Sequence, residues 1–164
     1  MFTCHPADAV TLRQAFACFP SGVAAIAAEL DGTVTVLVVS SFTVGVSQDP
    51  PLVLFAVQQS STTWPDLRVA PNLGVSVLGE THAAEARQLA GKNRHGRMAG
   101  VASTTTACGA VFLDEAPIWL ECSVEDVHPA GDHDIVVLRV LALREDVEHH
   151  PLVWHRSGFT TLVR

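Results

Sequence analysis

At 164 residues the chain has the length of one domain, residues 1–164, and enough material to bury a core without disulfides or a structural metal. Hydrophobic residues make up 48% and charged residues 16%, which excludes a disordered or fibrous chain. The net charge of −7, with Lys and Arg scattered along the sequence, argues against a nucleic-acid surface, which needs clustered cations to displace phosphate counterions.

The N-terminus has no basic n-region followed by an apolar h-region, so no secretory signal is expected. From Asp8 to Phe19, Leu12, Phe16 and Phe19 recur at helical spacing with Asp8 or Thr11 placed to cap, which predicts an amphipathic helix ended by Pro20 and Gly22. Val23 to Leu30 and Thr33 to Ser41 are β-prone runs joined by Asp31-Gly32, a dipeptide suited to the positive φ angles of a tight hairpin turn.

Asp49-Pro50-Pro51 imposes a turned or extended backbone before a strand from Leu52 to Val57. Pro65 starts a short helix reaching Ala70, Leu73 to Leu78 resumes the sheet, and His82 to Ala90 reads as a further short helix. Gly91 to Ala107, rich in Gly, Ser and Thr, is expected to be a long surface loop and a candidate lid or cofactor clamp.

Ile118, Leu120, Cys122 and Val124 alternate with Trp119, Glu121, Ser123 and Glu125, the period of a strand with one wet face. Ile135 to Leu143 is a second long strand, and Pro151 to Trp154 with Phe159 to Val163 supply closing segments. Strands dominate without alternating regularly with helices, which predicts a mainly β fold, a closed antiparallel barrel with a few short helices.

No apolar run approaches the ~20 residues of a membrane-spanning helix. The cysteines Cys4, Cys18, Cys108 and Cys122 show no C-x-x-C pairing, so free thiols in a reducing, cytoplasmic setting are expected. The histidines lack cysteine or carboxylate partners at ligand spacing, and no metal site is predicted. Rossmann, P-loop, nucleophile-elbow and H-E-x-x-H motifs are all missing, so a nucleotide would have to bind outside those frames.

Two hydroxyl-rich stretches remain, Ser40-Ser41-Phe42-Thr43 and Ser60-Ser61-Thr62-Thr63. Their small hydroxyls and nearby free N–H groups suit an anion, and equally suit ordinary turn and capping chemistry. At the turn Gly131-Asp132-His133, the imidazole is either solvated or packed on a planar substrate with Asp132 orienting it.

Ser41-Phe42-Thr43, Val46-Ser47-Gln48-Asp49-Pro50-Pro51-Leu52, Ser61-Thr62-Thr63 and Gly131-Asp132-His133-Asp134-Ile135, in that order, resemble the motifs of the short-chain flavin reductase family, the reductase components of two-component monooxygenases. The resemblance runs from about Leu12 to Leu162. It implies an FMN-binding split β-barrel of Greek-key-like topology, a homodimer, and hydride transfer from NADH or NADPH to FMN or FAD. Reduced flavin would pass to a separate flavin-dependent monooxygenase.

By the same resemblance Val39, Ser40, Ser41, Phe42 and Thr43 lie along the isoalloxazine edge, and Ser61, Thr62 and Thr63 hold the flavin phosphate. Lys92 and Arg97 neutralise its charge. His133, with Asp132, serves the nicotinamide in a positioning role, since hydride transfer needs proximity more than a side-chain proton relay. Two stretches depart from the family pattern: Val38-Val39-Ser40-Ser41 lacks an Asn frequent in relatives, and Gly96-Arg97-Met98 stands where many have Asp-Arg-Phe. The alternative reading is a non-catalytic, flavin-binding electron carrier on the same barrel.

Overall fold

A computed structural model describes residues 8–162. Helix α1 (Ala9–Ala17) starts where expected, because the Asp8 carboxylate accepts hydrogen bonds from the backbone N–H groups of Val10 and Thr11. Its predicted core face is not covered: no α1 residue is buried, and Phe16 and Phe19 are 70% and 74% exposed. The apolar spacing is real, but among the described residues nothing buries that face, and only Leu12 of the three is half-covered.

After the short β1 (Ser21–Gly22), strands β2 (Ala24–Leu30) and β3 (Thr33–Val39) form the expected hairpin. Asp31 and Gly32 take φ values of 50° and 74°, the left-handed geometry that matches the twist of the flanking strands. β4 (Thr43–Gln48) and β5 (Pro51–Gln58) follow, joined at Asp49-Pro50, where the peptide bond is cis. The sequence reading placed only the second of this pair.

Helix α2 (Trp64–Leu67) is shorter than predicted; β6 (Leu73–Val77) leads through a 3₁₀ turn at Glu80–His82 into α3 (Ala83–Leu89). Residues 91–107 are not a plain loop. They contain a second 3₁₀ turn (Arg94–Gly96) and β7 (Ser103–Thr105), which pairs with β8 (Val111–Leu113). The two long strands are β9 (Ile118–Ala130) and β10 (His133–Glu145), and β11 (Leu152–His155) with β12 (Gly158–Thr161) joins β1 in a small sheet.

Seven strands make the main antiparallel sheet in the order β3-β2-β6-β9-β10-β5-β4. The mainly β architecture is as predicted, but the ladder does not close, since β3 and β4 are its two edges. One face holds a core centred on Ile26, Phe55, Trp64, Leu73 and Leu138, and the other a second core around Val36, Leu78, Leu89 and Val111. Covering both faces explains why β2 and β3 read as continuous apolar runs without clean alternation.

The second core requires a close crossing of β8 over β6. An added Cβ at Gly74 would lie 2.1 Å from the Val111 carbonyl oxygen, and that atom is backbone. Gly74→Ala is therefore expected to cost about 3 kcal/mol or more, lowering the thermal midpoint measured by circular dichroism. A midpoint within a degree or so of the parent would refute the close crossing.

Candidate functional site

Because β3 is an edge strand, it has a ladder partner on one side only. The two-residue turn makes Leu30 and Thr33 a hydrogen-bonded pair, and pairing alternates from there along the registered hairpin. The N–H and C=O groups of Val34, Val36 and Val38 therefore point away from β2, along the free edge. Those of Val39 point into the sheet, and its side chain is buried in the core.

Where β3 ends, Ser41 bridges the gap to β5. Its hydroxyl donates to the Ala56 carbonyl at 2.9 Å and accepts the Ala56 N–H at 3.0 Å, doing with one side chain what a paired strand would do with backbone. This uses up both functions of the hydroxyl, so Ser41 shapes the site and has no proton left to offer a ligand.

Between this edge, the end of β5 and the Ser60–Thr63 turn lies a cleft of about 770 Å³. It brings together Val39, Ser40, Ser41, Ser61, Thr62, Thr63, Lys92, Arg97 and His133 from among the residues singled out in the sequence. Phe42, Thr43 and Asp132 do not line it. Phe42 and Thr43 face an adjoining cleft of about 480 Å³ that also touches Phe16, Phe19 and Trp154.

The Ser60–Thr63 turn is built by Ser61, whose hydroxyl oxygen accepts the N–H groups of Thr63 and Trp64 at 3.3 and 3.1 Å. Its hydroxyl proton is not consumed by those bonds. Thr63 is buried, and its oxygen accepts from Arg97 Nη1 at 3.0 Å. The same guanidinium donates to the Val36 and Gly91 carbonyls at 2.9 and 2.7 Å, so Arg97 ties the 91–101 segment to the β3 edge and the turn. Burial, with Arg94 nearby, pushes the Arg97 guanidinium below its usual range, a cost that an anion in the cleft would relieve.

Gln88 completes the arrangement, its side-chain amide lying 2.7 to 3.3 Å from the carbonyls of Gly96, Arg97 and Ala99. The expected lid is thus a pinned segment that presents Arg97. At the opposite wall, His133 Nδ1 lies 2.7 Å from the Asp132 carboxylate, and this hydrogen bond holds that carboxyl below the usual carboxylate range. Gln59 fixes the turn by donating its backbone N–H to the Asp132 carbonyl at 3.0 Å and its amide to Asp134 at 3.0 Å.

Sequence reasoning missed Gln58 and the supporting Gln88, which carry no motif of their own. It also passed over His82, whose buried ring accepts the Gly79 N–H at Nδ1 and donates from Nε2 to the Asp114 carbonyl. That ring is a structural pin with both nitrogens engaged. Cys122 is equally inert: burial pushes its thiol up to about 12.

The cleft thus pairs an edge of free backbone amides with a terminus of hydroxyls and cations. That set fits a planar heterocycle carrying an anionic tail. The flavin reductase like domain matches residues 16–163, and the chain belongs to this family.

The chain is 31% identical to a flavin reductase of Pseudomonas putida, covering 93% of this chain and 89% of that one. It is 35% identical to the actinorhodin polyketide dimerase of Streptomyces coelicolor, with 95% and 88% covered. Identity to the flavin-dependent monooxygenase reductase subunit HsaB of Rhodococcus jostii is 30%, over 93% and 77% of the two chains. Among solved structures, the NADH:FAD oxidoreductase SgcE6 of Streptomyces globisporus, in complex with NAD and FAD fragments, superposes with a TM-score of 0.91 at 26% identity. That match covers 99% of this chain and 98% of SgcE6.

Removing the Ser41 hydroxyl leaves two backbone groups of Ala56 without their partner. Ser41→Ala is expected to destabilise the fold by about 1–3 kcal/mol, read as a lower urea midpoint at unchanged slope. An unchanged midpoint would mean that the bridge contributes nothing to holding the edges together.

Proposed function

We propose that this chain is an NAD(P)H-dependent flavin reductase that passes reduced FMN or FAD to a partner monooxygenase. The observation carrying this reading is the convergence of the β3 edge, the Ser60–Thr63 turn, Arg97 and His133 on one cleft. A bound flavin supplies the ring position that accepts a hydride from NADH or NADPH.

The residues divide the work of binding and orientation. Outward backbone groups of Val38 and Ser40 meet the heteroatom edge of the ring, while Val39 backs it from the core. Ser61 and Thr62 donate hydroxyl protons to the phosphate, and Lys92 and Arg97 neutralise it. Thr63 acts through Arg97, which it orients. Phe42 and Thr43 sit on the neighbouring side, where the ring edge leaves the first cleft.

His133, held by Asp132 through Nδ1, offers Nε2 and its flat face to the nicotinamide. Its role is positioning, because the reacting carbon must lie ~3–3.5 Å from its acceptor. Residues 1–164 act as one flavin reductase-like domain. The described cysteines, Cys18, Cys108 and Cys122, are free, which fits a cytoplasmic enzyme; Cys4 lies outside the described residues.

Purified protein is expected to oxidise NADH or NADPH only when FMN or FAD is added, followed by loss of nicotinamide absorbance. His133→Ala should raise KM for the nucleotide about tenfold, the loss of one hydrogen-bonded contact, and leave flavin affinity nearly unchanged. No flavin-dependent turnover with either nucleotide defeats the reductase reading. Tight flavin with indifference to both nicotinamides would favour the electron-carrier alternative.

A homodimer belongs to the same proposal. Phe16 and Phe19 on and beyond α1, Val44 and Val46 on β4, and Leu141 and Leu143 on β10 are large apolar side chains left exposed on one copy. Light scattering after gel filtration is expected to give twice the 17.5 kDa chain mass. Phe19→Glu should shift the species toward a monomer, and a monomeric parent protein would dismiss the assignment.

A further inference from the structure

A ring that positions a nicotinamide has to be held in place itself, and the side-chain hold on His133 is weak. Its imidazole bonds only to Asp132, and the two side chains are 37% and 92% exposed. A pair so open to solvent is screened and orients little. What fixes the ring is then the backbone that carries it.

That backbone stands at the tip of the β9–β10 hairpin, where Gly131 takes a φ of 67° and residues 128–132 are exposed. The ladder between β10 and β5 ends at His133, opposite Gln58. Gln59, the next residue along, takes over where strand pairing stops. Its backbone N–H donates to the Asp132 carbonyl at 3.0 Å, and its side-chain amide donates to the Asp134 carboxylate at 3.0 Å and lies 3.4 Å from the His133 carbonyl. One residue thus grips positions 132, 133 and 134, on both sides of the point where the imidazole is attached.

We propose that Gln59 is a positioning residue for the nicotinamide, its side-chain amide clamping Asp134 and thereby setting where His133 presents its ring. The inference rests on the nicotinamide reading of His133. Gln58 and Ser60, on either side of Gln59, line the flavin cleft, and Gln59 itself does not. Its influence on the nucleotide therefore passes through His133. Because the backbone bond to Asp132 survives any substitution except proline, Gln59→Ala removes the clamp and leaves the hairpin attached.

The test is steady-state kinetics of the full chain with its better nicotinamide nucleotide and saturating flavin, for the parent, Gln59→Ala, Asp134→Ala, His133→Ala and the double variant Gln59→Ala/His133→Ala. Gln59→Ala is expected to raise KM for the nucleotide about fivefold, with kcat and the flavin dissociation constant from fluorescence titration unchanged. The retained flavin affinity shows that the variant is folded. Asp134→Ala, which removes the other end of the clamp, should give the same rise. In the His133→Ala background the Gln59 substitution should add nothing, because the group it acts through is gone.

A parental KM in Gln59→Ala or in Asp134→Ala would overturn the proposal. So would a rise in KM that multiplies with that of His133→Ala, or a parallel loss of flavin affinity, since either marks a merely structural role. If His133→Ala itself keeps the parental KM, the nicotinamide reading of His133 fails and this proposal with it. A raised KM in His133→Ala beside a parental one in Gln59→Ala defeats this proposal alone.

Discussion

The cleft exists because β3 has a hydrogen-bonding neighbour on one side only. An exposed edge strand ordinarily invites another strand, and proteins blunt it with charge, bulges or a covering segment. Here the covering is partial. Arg97 takes the outward carbonyl of Val36, and Ser41 takes the N–H and C=O of Ala56 on the facing strand. The space between these two contacts cannot be filled by more sheet, because neither side retains a matched ladder. It is left as a slot whose walls are backbone polar groups on one side and side chains on the other.

That constraint explains why several polar residues serve structure and site at once. Thr63 is buried, which is tolerable only because Arg97 donates to it. Arg97 in turn is held by two carbonyls as well as Thr63, and Gln88 secures the backbone that carries it. The guanidinium is preorganised by bonds that exist without any ligand, so an anion binding there would cost it little freedom. A lysine could not replace it, since a single ammonium cannot reach the Val36 and Gly91 carbonyls and Thr63 in one plane while facing a cleft.

Much of this was legible in the amino-acid sequence, and what was not has physical reasons. Asp31-Gly32 announced the hairpin because few dipeptides tolerate its φ angles, and the alternation from Ile118 onward announced β9. The hydroxyl stretches and Asp132-His133 stood out by composition, and the fold brings most of them to one cleft. β4 was hidden because its pairing with β5 breaks register between Thr43 and Ser47, with Gly45 at a φ of 74°. β7 and β8 are three residues each, too short to show a period. A hydroxyl in the sequence does not reveal its partner: the Ser41 hydroxyl is held by the backbone of Ala56, and the Thr63 oxygen accepts from the Arg97 guanidinium.

The exposed face of α1 and the pinned 91–101 segment fail for opposite reasons. For α1 the pattern of Leu12, Phe16 and Phe19 correctly signalled a face to be covered, and a pattern carries no information about whether the cover comes from the same chain. Gly91 to Ala107 showed no pattern, and the order there comes from Gln88, Arg97 and backbone carbonyls, whose interactions are not periodic. An apolar period therefore reports the need for burial, while polar pinning leaves no periodic trace. The residues that hold an anionic site in place belong mostly to the second kind, and only the fold exposes them. In this chain Arg97 was singled out through the family resemblance, whereas Gln88, which sets where that cation stands, became visible only with its three carbonyls around it.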